Sequence, residues 1–284
     1  MILVTGVTGK TGGEVARQLA AAGVPFRALI RNRAKADALP AMPAEVVIGD
    51  VADDAVLEQS LQGVARALLV MPNGADQLHL EKRFTAHAAK AGVQHLIKLS
   101  SLESVPGSTT PFTQVHLASE QYIRDSGLHW TMIRPTFFTQ TFLTSAPRIR
   151  EQQVISMPAG KGTIAPTDLR DVGAVILRVL TEPGHENQSY DLTGPELLTL
   201  EQIAARFSLV LGREIRYVDQ PLAEFRARLA AINLAPWRIE GVCKEFEAIG
   251  AGVIDHTTGT IARLLGRPPL SLEQFIRDHL AVFR

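Results

Sequence analysis

A single cysteine, Cys243, among 284 residues excludes an intramolecular disulfide and a multi-thiolate metal site. Its neighbours Ile239, Val242 and Phe246 mark it instead as a small buried hydrophobe. Neither sign of charge is in excess: 29 lysines and arginines balance 29 aspartates and glutamates, so no overall field draws the chain to nucleic acid or anionic lipid. No apolar run reaches membrane-spanning length, and an apolar strand starting at residue 2 leaves no room ahead of it for a signal peptide. A soluble, cytoplasmic protein is expected. The histidines are scattered without ligand spacing, so no metal is expected, and no Gly-x-Ser-x-Gly nucleophile motif is present.

Against these absences stands the amino terminus. A short apolar run, Ile2-Leu3-Val4, breaks into Thr5-Gly6-Val7-Thr8-Gly9-Lys10-Thr11-Gly12 and then into a helical pattern in which Val15, Ala16, Leu19 and Ala20 share one face. Strand, glycine turn and helix in this order let a phosphate approach backbone N–H groups at the positive end of a helix dipole, which points to dinucleotide binding. The spacing is Gly-x-x-Gly-x-x-Gly. A triphosphate-binding P-loop is disfavoured, because its opening glycine would fall on Val4 inside the strand and Ala67 to Met71 ends in Met71-Pro72 instead of a magnesium-binding aspartate.

Gly23 closes the first helix, and the run Phe26 to Ile30 completes a β-α-β unit. Apolar runs at Glu45 to Ile48, Ala67 to Met71, Leu96 to Ser100 and Trp130 to Ile133 alternate with helical stretches near 54 to 61, 76 to 91 and 113 to 126. Gly92 and Gly127 close two of these helices. The pattern predicts an α/β fold, a Rossmann-type doubly wound parallel sheet over residues 1 to 150, with a smaller, mostly helical substrate-binding lobe over 151 to 284. The apolar stripe Leu169, Val172, Ile176, Val179 and Leu180 predicts a helix at 168 to 181 that packs back on the sheet. Capping-box patterns at Thr199 to Gln202 and Ser271 to Gln274 open helices, and two amphipathic stretches run through Leu222, Phe225, Leu229 and Ile232 and through Ile239, Val242, Phe246 and Ile249.

Arg31 lies at the end of the second strand, about twenty residues after the glycines, where an NAD-binding fold places an acidic residue for the ribose hydroxyls. An arginine there, with Arg33 and Lys35 behind it, suits a 2′-phosphate and favours NADP(H) over NAD(H). The alternative is a solvated loop arginine. Asp50, followed by Val51 after the third strand, is placed to accept a hydrogen bond from an adenine amino group.

Together, Thr5-Gly-x-Thr-Gly-x-x-Gly12, Arg31, Gly49-Asp50, Ser100-Ser101, Arg134-Pro135 and Gly266-Arg-Pro-Pro269 resemble the NmrA-like family of atypical short-chain dehydrogenases, over essentially the whole chain. The resemblance is nearest to its quinone oxidoreductases, azoreductases and triarylmethane dye reductases, and the family also includes non-enzymatic redox sensors. It implies that Gly6, Thr8, Gly9, Lys10, Thr11 and Gly12 hold the pyrophosphate and Arg31 the 2′-phosphate. It also implies that Met71, Pro72 and Asn73 border the cofactor ribose, and that Ser100, Ser101, Pro135, Thr136, Phe137 and Phe138 face the nicotinamide.

Most short-chain dehydrogenases carry Tyr-x-x-x-Lys, in which the ammonium lowers the phenol pKa for proton transfer. This chain has His116-Leu-Ala-Ser-Glu120 in its place. The i, i+4 spacing puts both on one helical face, so Glu120 is expected to raise the His116 pKa and keep the ring charged as an acid or donor. A structural histidine is the alternative. Without the tyrosine, the resemblance favours an NADPH-dependent reductase passing hydride to an electron-poor quinone-like, azo or aromatic acceptor, against a flat apolar wall drawn from Phe137, Phe138, Phe142 and Met157. Two alternatives stay open: an NADP-binding redox sensor that signals to a protein partner, and a biosynthetic ketone or imine reductase using His116 as acid.

Overall fold

The computed structural model describes residues 1–38 and 42–284. In chain order the elements are β1 (Ile2–Thr5), α1 (Lys10–Ala21), β2 (Phe26–Ile30), α2 (Arg33–Asp37), β3 (Ala44–Ile48), α3 (Asp54–Leu61), β4 (Arg66–Leu69), α4 (Gln77–Lys90), β5 (His95–Leu99), α5 (Pro111–Arg124) and β6 (His129–Pro135). A 3₁₀ turn (Thr139–Ser145) then leads to α6 (Ala146–Gln152), β7 (Val154–Met157), β8 (Thr163–Ile164), α7 (Leu169–Thr181) and β9 (Gln188–Leu192). The remainder comprises β10 (Leu198–Thr199), α8 (Leu200–Leu211), β11 (Arg216–Asp219), α9 (Leu222–Ala231), α10 (Pro236–Gly250), α11 (Thr260–Leu265), α12 (Leu272–Asp278) and α13 (Leu280–Phe283).

These elements form two compact units, each discontinuous in sequence. The first holds Met1–Pro106, Gln114–Arg134 and Val172–Tyr190; the second holds Gly107–Thr113, Pro135–Asp171 and Asp191–Arg284. The chain passes out of the first unit at the end of β6 and re-enters it within α7. The seven-stranded sheet has the order β3-β2-β1-β4-β5-β6-β9, with parallel pairing from β3 through to β6. Strand order reverses between β1 and β4. That reversal opens a crevice at the carboxyl ends of the strands, where open α/β sheets bind ligands.

On one side of the sheet Leu3, Leu57, Leu61, Leu69, Phe84 and Leu96 are sealed from solvent in a common core. On α7, Val172, Val175, Ile176 and Val179 are equally buried. Gly173 lets α7 approach α1 closely, since a Cβ there would stand 2.8 Å from the Gln18 amide nitrogen and 2.9 Å from Glu14 Cγ. Arg66 donates to the Leu180 and Glu182 carbonyls at 2.8 and 2.9 Å, placing a cation on the negative end of α7.

The second unit packs around Phe142, Phe207, Phe225, Phe246, Phe275 and Phe283. It contains more strand than the sequence pattern suggested: β7 pairs in parallel with β11, and β8 pairs antiparallel with β10. The Thr199 capping box is complete. At Ser271 only half of it forms, because the Gln274 amide turns along the helix to Asp278 at 2.7 Å. Ile232 lies past the end of α9 and is 68% exposed, so the apolar stripe of that helix stops at Leu229.

Within the first unit, His95 is buried at the start of β5. Its Nε2 lies 2.7 Å from Thr131 Oγ1, whose single proton goes to the His185 carbonyl. Nε2 is therefore the donor, and Nδ1 is buried without a partner among the described residues. Protonating it would place a charge in apolar surroundings, and burial pushes the His95 pKa down to about 4. A base with a depressed folded pKa contributes stability above its unfolded pKa, near 6.5, which is lost as pH falls toward 4. Thermal unfolding between pH 6.5 and 4 should show His95→Gln losing less stability than the parent, by up to about 1.4 kcal/mol per pH unit. Equal slopes for the two proteins would refute this assignment.

Candidate active site

The sheet places the expected nucleotide residues at the carboxyl ends of adjacent strands. Thr5 ends β1 and spans the switch point: its Oγ1 accepts the Val70 N–H at 2.8 Å and directs its proton toward the Leu68 and Val70 carbonyls at 3.1 and 3.0 Å. Gly6 then turns with φ of 70°, a left-handed value that favours glycine. The Gly9 N–H closes the turn on the Gly6 carbonyl at 2.9 Å. Gly12 is packed so tightly that a Cβ would stand 2.3 Å from that same carbonyl.

Helix α1 starts on Gly9 with no side-chain cap and no acidic residue in its first turn. Its positive end is thus uncompensated, with Thr8, Gly9 and Lys10 exposed and Thr11 and Gly12 buried beneath. A pyrophosphate suits this cradle in charge and in backbone clearance.

Arg31 leaves β2 with its side chain 74% exposed, and its Nη1 lies 4.0 Å from Asp50 Oδ2. At that range and exposure the contact is weak and leaves the guanidinium available to an anion. Asp50 Oδ1 accepts the Ala52 N–H at 2.9 Å, which holds the turn after β3. Val51 and Met71 pack against the core below, while Pro72 is exposed and Asn73 half-buried beyond β4. Arg33 and Lys35 are exposed on α2, whose N-terminus is capped by Asn32.

The arrangement at β5 and α5 differs from the expected His116–Glu120 pair. Glu120 is fully buried, and its partners are elsewhere. Its Oε1 accepts from Ser100 Oγ at 2.6 Å and from Arg134 Nε at 2.8 Å, while its Oε2 accepts from Arg134 Nη2 and from Arg124 Nη2, the latter at 2.8 Å. Burial opposes ionisation of this carboxyl, but the hydrogen bonds from Arg134 and Ser100 and the charges of Arg134 and Arg124 outweigh it, so its pKa falls. Ser101 donates to Glu103.

His116 faces a cation. Its Nδ1 lies 3.2 Å from Lys98 Nζ, and Lys98 in turn donates to Glu81 Oε2 at 2.7 Å. The Gln77 amide donates to the other oxygen of Glu81 at 3.0 Å. Burial, then the Lys98 charge, push the His116 pKa down to about 3, against the weaker pull of Glu81 and Glu120. The expectation that Glu120 keeps His116 charged is therefore corrected: Glu120 is bound by two guanidiniums, and the imidazole is neutral at physiological pH.

Five members of this network were not read from the sequence as site residues: Lys98, Glu81, Gln77, Arg124 and, beyond its place in the resemblance, Arg134. A signal for Lys98 existed, since a lysine inside Leu96-Ile97-Lys98-Leu99 must be buried and so requires a counter-charge.

In the second unit, Pro135 and Thr136 are buried, and Phe137 and Phe138 half-buried. Thr136 N–H donates to the Leu192 carbonyl at 3.1 Å, and the Phe137 carbonyl accepts from Thr167 N–H at 2.8 Å. Phe137 packs on Phe142 with ring centroids 5.6 Å apart. Phe142 and Met157, expected in an apolar wall, belong to the core of this unit, at 0% and 4% exposure.

A sequence model of the NmrA-like family matches residues 1–276. The chain belongs to this family. NAD(P)H azoreductase of Xenophilus azovorans is 35% identical over 288 residues, covering 100% of this chain and 99% of that protein. A (4-alkanoyl-5-oxo-2,5-dihydrofuran-3-yl)methyl phosphate reductase of Streptomyces griseus subsp. griseus is 37% identical over 286 residues, with 100% and 99% covered. Among solved structures, the NADPH-dependent quinone oxidoreductase QOR2 of Escherichia coli, complexed with NADPH, matches with a TM-score of 0.89 at 30% identity, over 99% of this NmrA-like chain and 100% of that one.

The Glu120 cluster allows a test within this NmrA-like protein. Arg134→Met leaves a buried carboxylate short of its bidentate partner and should cost about 3 kcal/mol in urea unfolding, whereas Arg124→Met, a more exposed i, i+4 partner, should cost about 1 kcal/mol or less. Adding Glu120→Gln to Arg134→Met should recover part of the loss. Equal costs for the two arginines, or no recovery, would show that Arg134 is not the main counter-ion.

Proposed function

We propose that this NmrA-like chain is an NADPH-dependent reductase that delivers hydride to an electron-poor, quinone-like or azo small molecule. The observation that carries this reading is the set of hydrogen bonds and ion pairs at the end of β5. The Ser100 proton is committed to Glu120, Glu120 is held ionised, and His116 is neutral. None of these three groups is set to hand over a proton at neutral pH. Reduction of an ordinary ketone develops an alkoxide that must be protonated or held, whereas hydride addition to a quinone gives a stabilised phenolate that solvent can protonate.

The residues present suit NADPH. The turn at Gly6, Thr8, Gly9, Lys10, Thr11 and Gly12 would hold the pyrophosphate, Arg31 with Arg33 and Lys35 the 2′-phosphate, Asp50 and Val51 the adenine side, and Met71, Pro72 and Asn73 the ribose. When bound, the reduced nicotinamide supplies the hydride. The chain's own part is then to position and to exclude competing chemistry. The azoreductase and the quinone oxidoreductase named above support this class of acceptor, and the Streptomyces relative supports reduction in general.

NADPH oxidation against quinones, azo dyes and unactivated ketones tests the reading. Quinones or azo dyes should turn over at least about a hundredfold faster than ketones, a difference of about 2.7 kcal/mol in the barrier. Comparable ketone turnover would overturn it, and tight NADPH binding without any turnover would favour a nucleotide sensor. Arg31→Glu should raise KM for NADPH at least about tenfold while leaving NADH nearly unchanged, since it replaces a charge-assisted phosphate contact by repulsion.

A further inference from the structure

Lys98 is fully buried in the middle of β5, and the reductase reading gives it no task. A lysine ammonium carries three protons and accepts nothing. Three acceptors surround this one: Glu81 Oε2 at 2.7 Å, the Leu99 carbonyl at 3.2 Å and His116 Nδ1 at 3.2 Å. Each proton has one destination. The third is usable only if Nδ1 presents its lone pair, which places the single imidazole proton of a neutral ring on Nε2.

We propose that Lys98 is a positioning residue that locks His116 as a neutral Nε2–H donor, and that this donor serves the carbonyl-type oxygen of the hydride acceptor. The second half of this statement rests on the reductase reading; the first half stands on the contacts alone. Nε2 makes no hydrogen bond among the described residues and is not among the buried polar atoms lacking a partner, and the residue keeps 9% exposure. The charged groups facing the ring are Lys98 from β5, Glu81 from α4 and Glu120 from its own helix. Glu81 neutralises Lys98 at contact distance, and Glu120 is neutralised by Arg134 and Arg124.

A donor of this kind polarises an oxygen without transferring its proton. As hydride adds to a quinone, the hydrogen bond from Nε2 strengthens toward the developing phenolate, and the proton that completes the hydroquinone comes from water. The imidazole ends the cycle as it began.

The test is long-range ¹H–¹⁵N correlation on uniformly ¹⁵N-labelled protein, with the His116 ring assigned by its loss in His116→Gln. At pH 7.5 the parent should show the pure Nε2–H tautomer with an unprotonated Nδ1, and no titration of this ring down to pH 5. Lys98→Met should shift the ring to a mixture of tautomers and bring its titration into that range. If Lys98→Met does not fold because Glu81 is left unpaired, Lys98→Met with Glu81→Leu removes both charges and gives the tautomer readout, a mixture in place of pure Nε2–H, while burial keeps the ring from titrating. An Nδ1–H tautomer in the parent, or an unchanged signature in the folded variant, overturns the proposal.

Kinetics test the second half. The folded variant should retain its NADPH dissociation constant within about twofold while kcat with a quinone falls about tenfold, the loss of about one neutral hydrogen bond. An unchanged kcat overturns the donor's role in the reaction. Should the parent bind NADPH and reduce no acceptor, the reductase reading falls together with that role, while the tautomer measurement still decides whether Lys98 locks the ring.

Discussion

A charge enclosed within this fold must be neutralised where it stands, and that constraint decides the chemistry at the end of β5. Two acidic side chains, Glu81 on α4 and Glu120 on α5, are sealed from solvent beside the sheet. Leaving either unpaired would cost several kcal/mol, so each is bound to a cation supplied by a neighbouring strand: Lys98 from β5 and Arg134 from β6. These pairings leave His116 next to an ammonium and bind Glu120 to two guanidiniums. The imidazole is neutral because it is buried beside an ammonium, while the acids near it are bound to stronger partners.

The same constraint limits which reactions the site can support. A Tyr-x-x-x-Lys site lowers a phenol pKa with an ammonium and so provides a proton donor and acceptor. Here the ammonium lies beside an imidazole, and the effect is opposite in use: it holds a base unprotonated. Ser100, which could otherwise donate to a substrate oxygen, points its proton at Glu120 at 2.6 Å. What remains at the end of β5 is a set of paired charges with hydrogen-bonding capacity at a neutral His116. Such a surface suits a substrate whose reduction is driven by its own electron deficiency.

The parts of this arrangement that were readable in the sequence are those set by local periodicity. Strand and helix alternation gave the sheet, and Gly6, Gly9 and Gly12 gave the turn, because each depends on residues within about one element of one another. Partner choice was not readable. Glu120 has a histidine four residues before it and Arg124 four residues after, and nothing local says that the decisive contact is Arg134, which arrives only when β6 pairs with β5. Lys98 was absorbed into an apolar run because its counter-ion, Glu81, lies on a different helix. The β7–β11 pairing joins strands separated by two helices and three other strands, and the short lengths of both left no pattern of their own. Gln274 matched a capping box by spacing yet bonds Asp278, since both contacts are available to an amide at that position and sequence does not rank them.

Stability alone does not account for a lysine in the middle of a buried strand. Replacing a buried ion pair by apolar residues of similar volume is often neutral or stabilising, so Lys98 and Glu81 are a poor means of holding β5 against α4. Their contribution is directional. An apolar pair would pack the same volume while leaving the imidazole free to place its proton on either nitrogen. The ammonium fixes three acceptors at once, and one of them is Nδ1. A residue that costs desolvation and returns orientation is what a site requires when its donor must be uncharged, fixed in tautomer and backed by a network that does not itself give up a proton.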